Sequence, residues 1–246
     1  MNEVINTLHQ RRSYRKYTNK PVSEEIIEQM IEAAQAAPSW IHGQHVSIIS
    51  VRDEARKARL AELVGNQAHV REAPVFLVFC ADFYRAYVAG KKQNKELQAL
   101  HDIDVLLVGA TDVGLAMSNA ITAATSLGLG TVPIGGIRRH SLEVIDILDL
   151  PPYVIPISGL CVGYPDEEPG KKPRLPKEVV YHKEVYNKKQ EPYLDQYDEA
   201  MLAFTKNHSQ KPQRWTERVA AFYEKTYYLN IDKMLKRQGF LKRGDR

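Results

Sequence analysis

The sequence predicts a layered protein of mixed helix and sheet, of the α/β or α+β type. Three observations predict it. Val75 to Cys80 and Val154 to Val162 are short apolar runs with the length and residue types of buried strands. Between such runs lie stretches with helical apolar spacing, among them Ile26, Ile27, Met30, Ile31 and Ala34. Finally, Asp102 to about Leu127 is rich in small residues and reads as a long helix that packs closely on several sides, in the middle of the protein. A chain of 246 residues, 43% hydrophobic and 26% charged, suffices for one large globular domain or two small ones. No internal repeat is evident.

Taken in order, Val4, Ile5 and Leu8 give an amphipathic helical start. The basic stretch Arg11 to Tyr17 follows. Pro21-Val22-Ser23-Glu24-Glu25 reads as a helix entry, with Ser23 as cap and acids in the first turn. That helix should stop before Pro38, because a residue preceding proline avoids the helical region. Residues 38–44 read as a loop and 45–51 as a strand. Asp53 to Val64 is a helix closed by Gly65, Gln67 to Val70 a loop, and 84–100 a polar stretch without a clear period. After the long helix, Thr131 to Ile134 is a short strand ending in Gly135-Gly136. Ser141 to Leu148 is a short helix with Ser141 as its cap. Pro165 to Pro176 leaves the core, and helical pattern resumes from Leu194, broken between Asn207 and Pro212.

Charge is unevenly placed. Net charge is +4, yet residues 201–246 hold eleven Lys or Arg against four acids, so this tail is +7 and the first 200 residues −3. Such a tail suits nucleic acid, an anionic cofactor or a solvated helical surface. No zinc finger, helix-turn-helix or aromatic RNA motif accompanies it, so nucleic acid is not the expected partner. Cys80 and Cys161 both lie in apolar strand-like runs, as buried reduced thiols of a reducing compartment do. Residues 1–6 lack the basic and apolar regions of a secretory signal. Val113 to Ile137 carries no charge and could span a bilayer by length, but polar side chains from Ser118 to Ser126 and Pro133 interrupt it. The expectation is a soluble, cytoplasmic protein.

Several chemistries lack their signatures. Gly128-Leu129-Gly130 begins like a dinucleotide fingerprint, but Pro133 takes the third glycine position and a strand follows where a helix is required. The eight histidines show no zinc spacing, and there is no GxSxG elbow. What remains is Arg11-Arg12-Ser13-Tyr14-Arg15-Lys16-Tyr17, with four cations and a hydroxyl. In an extended exit from the first helix, Arg11, Ser13 and Arg15 share a side. Guanidinium groups beside a hydroxyl receive a phosphate through bidentate, charge-assisted bonds. A solvated basic turn is the plain alternative.

Five segments together carry a resemblance: Arg11 to Arg15; Ala37-Pro38-Ser39 with Gln44; Gly65-Asn66-Gln67; Pro133 to Arg138; and Lys171-Lys172-Pro173-Arg174-Leu175-Pro176. In this order the chain resembles the nitroreductase family of FMN enzymes, in its NADPH-linked branch of oxygen-insensitive nitroreductases and flavin reductases, over nearly its whole length. The resemblance implies an α+β fold with a mostly antiparallel central sheet flanked by helices. It implies one FMN-binding domain over 1–246, an interlocked homodimer with FMN at the subunit interface, and a C-terminal helical excursion over 191–246. Arg11 and Ser13, with Lys172 and Arg174, would hold the FMN phosphate and ribityl chain, and Arg12 adjoins them. Arg15 would lie at the N1–C2 end of the ring, where a cation stabilises reduced flavin. Gln67 would bond the pyrimidine edge, and Ile134, Gly135 and Gly136 would let backbone approach the O4–N5 edge. Ser39 would reach FMN from the other subunit.

The chemistry so implied is ping-pong: NADPH reduces the flavin at N5 and leaves, then a nitroaromatic, quinone, azo or free flavin acceptor takes two electrons. Lys206, Lys211 and Arg214 would meet the NADPH 2′-phosphate. Two features depart from many relatives, Arg11 where His is common and the bulky Trp40-Ile41-His42 after Ser39. A flavin- or nucleic-acid-binding protein without catalysis is the alternative from another class.

Overall fold

The computed structural model describes residues 2–209 and 211–241. The chain divides into two compact units, one formed by the chain up to Pro169 and from Tyr228 onward, the other by Gly170–Tyr227.

The first unit is built on four strands, β1 (Val46–Val51), β2 (Val75–Asp82), β3 (Gly130–Ile134) and β4 (Val154–Gly163), in the order β1-β2-β4-β3 with every pairing antiparallel. β2 pairs Val75 with Val162, and β3 pairs Val132 with Cys161. Every residue of β2 is buried, which is why Val75 to Ala81 is continuously apolar with no alternation before Asp82 ends the strand. β3 is an edge strand, and its free side takes an isolated parallel bridge from Ser13 to Thr131 with Tyr14 N–H donating to the Thr131 carbonyl at 3.0 Å. This pairing covers an edge that would otherwise recruit another chain.

Helices α1 (Glu3–Gln10), α2 (Glu24–Gln35), α3 (Glu54–Leu63), α4 (Ala68–Glu72), α5 (Tyr84–Lys92), α6 (Asp104–Ser126), α7 (Ser141–Leu148) and α11 (Ile231–Arg237) surround the sheet. α6 is long and apolar enough to cross a membrane by length and composition, yet it packs on α2 and on the sheet. Val113, Ala116, Ala120 and Ala124 are buried there, and Asn119 Nδ2 donates to the Ala33 carbonyl at 3.1 Å. Small side chains permit that approach, as the sequence implied. Residues 228–241, placed in the expected excursion, pack in the first unit. Phe240 is fully buried edge-on to Phe83 and Tyr153, and Gln238 Nε2 donates to the Pro151 and Val154 carbonyls.

The second unit holds α8 (Lys177–Val180), α9 (Glu191–His208) and α10 (Trp215–Tyr223). Its staple is Asp198, buried on α9, which accepts the Thr216 N–H at 2.9 Å and the Thr216 hydroxyl. Tyr197 donates to the Pro173 carbonyl at 3.0 Å and lies edge-on to Trp215.

The structure corrects several sequence expectations. Residues 68–72 form a helical turn, not a loop, because Gln67 takes the cap position and the Ala73 N–H returns to the His69 carbonyl. Ser141 does not cap its helix; His140 holds that position, and the Ser141 hydroxyl is fully buried without a partner among the described residues. Ser23 occupies its cap position, but its hydroxyl engages the Glu25 carboxylate, not the backbone. Residues 84–100, unassigned by pattern, contain α5 and a 3-10 turn at Gln98–His101.

Candidate functional site

The site in the first unit is assembled along β3. α1 ends at Gln10 with Arg11 as its cap, and the chain leaves in extended form, as the alternation of Arg11, Ser13 and Arg15 required. Arg11, Arg12 and Ser13 are half-buried while Arg15 is exposed. Arg12 Nε is buried without a hydrogen-bond partner among the described residues, a donor held dry for an acceptor the chain does not supply. β3 then delivers Ile134, buried, into a tight turn at Gly135–Arg138.

The two glycines of this turn differ. A Cβ on Gly136 would stand 2.5 Å from the Val64 carbonyl oxygen and 3.0 Å from Gln67 Nε2, so only glycine fits. On exposed Gly135 a Cβ would find nothing nearer than Arg138 Nη2 at 3.9 Å, so that side is open. Gln67 in turn donates to the Val64 carbonyl at 2.8 Å, fixing its amide beside the turn. The structure therefore lays the basic segment along β3 from Thr131, near the start of the strand, and sets Ile134 to Gly136 with Gln67 at its C-terminal end.

Two residues outside the motifs join them. Glu167 accepts the backbone N–H groups of Arg15, at 2.5 Å, and of Lys16, at 3.1 Å, and so ties the strap after β4 to the basic segment. His69 carries a buried Nε2 without a partner among the described residues. Burial first, and then the nearby Arg15 cation, hold its imidazole below the usual histidine range, against Glu72 and Glu167. The signals available were an acidic run, Asp166-Glu167-Glu168, ahead of the lysines, and a histidine two places after Gln67.

Other candidates lie elsewhere. Ser39 Oγ accepts the Gln44 N–H at 3.0 Å and lines a small cavity with Gln44, Arg85 and Asp112. Lys172 and Arg174 are exposed in the second unit, Arg174 on the wall of a cavity with Tyr193 and Tyr197. Lys206 lies in the last turn of α9, and Lys211 is exposed in the loop beyond. Arg214 is engaged by acids, with Nη2 2.8 Å from Glu199 and Nη1 3.8 Å from Glu217. Of the basic tail, Lys236 pairs with Asp232 and Arg237 with Asp146, while Lys242, Arg243, Asp245 and Arg246 lie outside the described residues. Arg214, Lys236 and Arg237 are thus ion-paired at the surface, where such pairs are weak.

Burial pushes the Cys80 thiol up to about 12 and raises Cys161 as well, which disfavours a thiolate mechanism. Among the described residues no cluster of three or more His, Cys, Asp or Glu offers a metal site.

An anionic, planar ligand fits this arrangement: cations with an unpaired buried donor at one end, an open glycine face and a fixed amide at the other. Comparison with known proteins agrees. The model of the nitroreductase family matches residues 8–164, and that of the nitroreductase family C-terminal domain matches 172–243. The chain is 45% identical to an FMN reductase [NAD(P)H] of Bacillus subtilis, covering 98% of both chains. It is 37% identical to an oxygen-insensitive NADPH nitroreductase of Salmonella typhimurium, over 99% of this chain and all of the relative. The solved structure of B. megaterium NfrA2 superposes with a TM-score of 0.96 at 46% identity, covering 99% of this chain and all of that one. Two family models that between them match both units, and a relative 45% identical over 98% of the chain, give one conclusion: the chain belongs to the nitroreductase family.

Proposed function

We propose that the protein is an FMN-dependent oxidoreductase that draws electrons from NADPH and passes them to free flavin and nitroaromatic acceptors, with quinones and azo compounds in the same class. The observation that carries this reading is the placement of Arg11–Arg15 alongside β3, with Gln67 and Gly135–Gly136 at the strand's C-terminal end. The names of the similar proteins, an FMN reductase and an NADPH nitroreductase, support it.

The chemistry FMN supplies when bound is two-electron exchange, first with NADPH and then with the acceptor, in ping-pong order. The chain's own residues bind and tune. Arg11, Arg12, Ser13, Lys172 and Arg174 are assigned to the phosphate and ribityl end, where charge-assisted bonds are strongest. Arg15 is the cation for the ring end and favours its reduced, anionic form. Gln67 and the backbone of Ile134, Gly135 and Gly136 are assigned to the ring edge, and Ser39 to the cofactor of a second copy. Lys206 and Lys211 are the cations for a 2′-phosphate; Arg214 would first have to release Glu199.

A second copy is part of the proposal. α6 exposes Leu107 at 65% and Leu115 at 41%, next to Ile103 at 69%, and α1 exposes Val4, Ile5 and Leu8. Apolar faces of this size are characteristic of an interface. Light scattering should therefore give twice the chain mass. Anaerobic titration of the FMN-loaded protein tests the activity: NADPH should bleach the flavin spectrum rapidly, and NADH slowly. A protein that binds no FMN would overturn the reading.

A further inference from the structure

The loop from Ser39 to His45 joins α2 to β1 in a conformation its residues do not favour. Ile41, His42 and Gln44 have φ of 50°, 57° and 52°, in the left-handed region that disfavours side chains, β-branched ones most. One carboxylate holds the loop. Asp112, 3% exposed on α6, accepts the Trp40 N–H at Oδ1 (3.1 Å) and meets His45 Nδ1 at Oδ2 (2.9 Å). His45 is itself buried and stacked on Phe83, ring centres 4.5 Å apart. Gly43 must be glycine, since a Cβ there would stand 2.2 Å from the His45 ring.

Both ends of the loop are thus tied to one residue, while the tip is exposed: Trp40 at 63% and Ile41 at 81%. Trp40, Ile41, His45 and Phe83 line an apolar groove of about 580 Å³ together with Leu97, Leu100, Val105 and Val108. Its volume is that of a small-molecule pocket. A costly backbone persists where its surroundings over-determine it, and such places gather at ligand clamps.

We infer that Asp112 is a positioning residue for the aromatic-acceptor pocket, clasping the loop so that Trp40 and Ile41 stand as a fixed apolar wall. This rests on the flavin-oxidoreductase reading, in which Ser39, next to Trp40, reaches a cofactor. Asp112 acts through the Trp40 backbone and the His45 ring. A carboxylate suits the task because its two oxygens accept in different directions. Asparagine keeps one acceptor for Trp40 and offers a donor to the other imidazole tautomer. Leucine keeps the branched shape, though with more bulk, and orphans the Trp40 N–H.

Trp40 and Trp215 are the two tryptophans of the chain, so in a Trp215→Phe background fluorescence anisotropy reports Trp40 alone, with neither cofactor nor turnover. Asp112→Leu should lower that anisotropy and raise KM for menadione, a planar quinone, by about tenfold or more, as loss of positioning does. The rate with ferricyanide, which needs no stacking, should stay within about twofold. Asp112→Asn should keep anisotropy and KM near wild type. Asp112→Ser, too short to reach either partner and adding no bulk, should likewise lower anisotropy and raise the menadione KM, which serves if Asp112→Leu does not fold. Unchanged anisotropy and menadione KM in Asp112→Leu and Asp112→Ser would overturn the inference, and equal loss with both acceptors would do so too by marking general damage. If the wild type oxidises no NADPH with FMN bound, the acceptor assignment falls with the flavin reading, and the anisotropy then reports whether Asp112 holds the loop at all.

Discussion

Alanine at each glycine of the Gly135–Gly136 pair separates packing from ligand approach. At Gly136 the new Cβ would meet the Val64 carbonyl oxygen at 2.5 Å and Gln67 Nε2 at 3.0 Å. The amide can swing away, but the carbonyl belongs to the backbone that closes α3, so the turn itself must shift. Overpacking of this kind costs about 1–3 kcal/mol. In a chain of this length each kcal/mol moves Tm by roughly 2–4 °C, so Gly136→Ala should melt about 2–12 °C lower. At Gly135 the Cβ meets only the Arg138 guanidinium at 3.9 Å, and φ is not left-handed. Gly135→Ala should leave the stability of the cofactor-free protein unchanged, or raise it by about 0.4–1 kcal/mol through the unfolded chain. Its effect should appear on FMN: a methyl group on the open face should weaken binding about tenfold, or about 1.4 kcal/mol. Thermal unfolding of the cofactor-free protein and titration of FMN fluorescence quenching read the two quantities separately. Undiminished FMN affinity in a well-folded Gly135→Ala protein would show that the ligand does not approach this face. An unaltered Tm for Gly136→Ala would refute the packing argument.

His69 gives a pH dependence whose sign is determined. Its folded-state pKa lies below 6.5, so below that pH the unfolded chain binds the proton first and stability falls as pH drops. Tm measured from pH 7.5 down to 5 should decline less steeply in His69→Gln, and equal slopes would remove His69 from the account. Cys80 and Cys161, both buried with raised pKa values, should resist a thiol reagent at pH 8 in the native protein and react together after denaturation. Lys206→Ala and Lys211→Ala should each raise KM for NADPH about tenfold, the worth of one charged hydrogen bond, and leave KM for NADH unchanged. Arg214→Ala should change it less, since Glu199 already occupies that guanidinium. Parallel changes for both nucleotides would sink the 2′-phosphate assignment.

What could be read from the sequence was whatever depends on local pattern. β2 and β4 were legible because strands covered on both faces are apolar without a break, and α6 because its small residues extend over more than six turns' worth of chain. The turn at Ala68–Glu72 was not, because five residues are too few to show a helical period. Ser141 misled because a serine at a helix start usually caps, whereas here tertiary packing buries its hydroxyl. Within the site, the basic segment, Gln67 and the glycine pair carried their chemistry in neighbouring residues. Glu167 did not, since it meets Arg15 across 152 positions, nor did Asp112, which reaches His45 across 67. A bond between distant residues leaves no periodic trace.

The bridge between Ser13 and Thr131 bears on the order in which the molecule comes together. Closing so long a stretch of chain is entropically costly and slow, and it gains nothing until β3 has found β4. The basic segment therefore docks after the sheet, and Glu167 can reach it only once β4 is in place. A nascent or half-folded chain carries all the arginines in its sequence and none of them in register. If FMN is held by the basic segment as proposed, its recognition is a proofreading of completed folding: it stabilises molecules whose sheet is finished and gives no advantage to those still on the way.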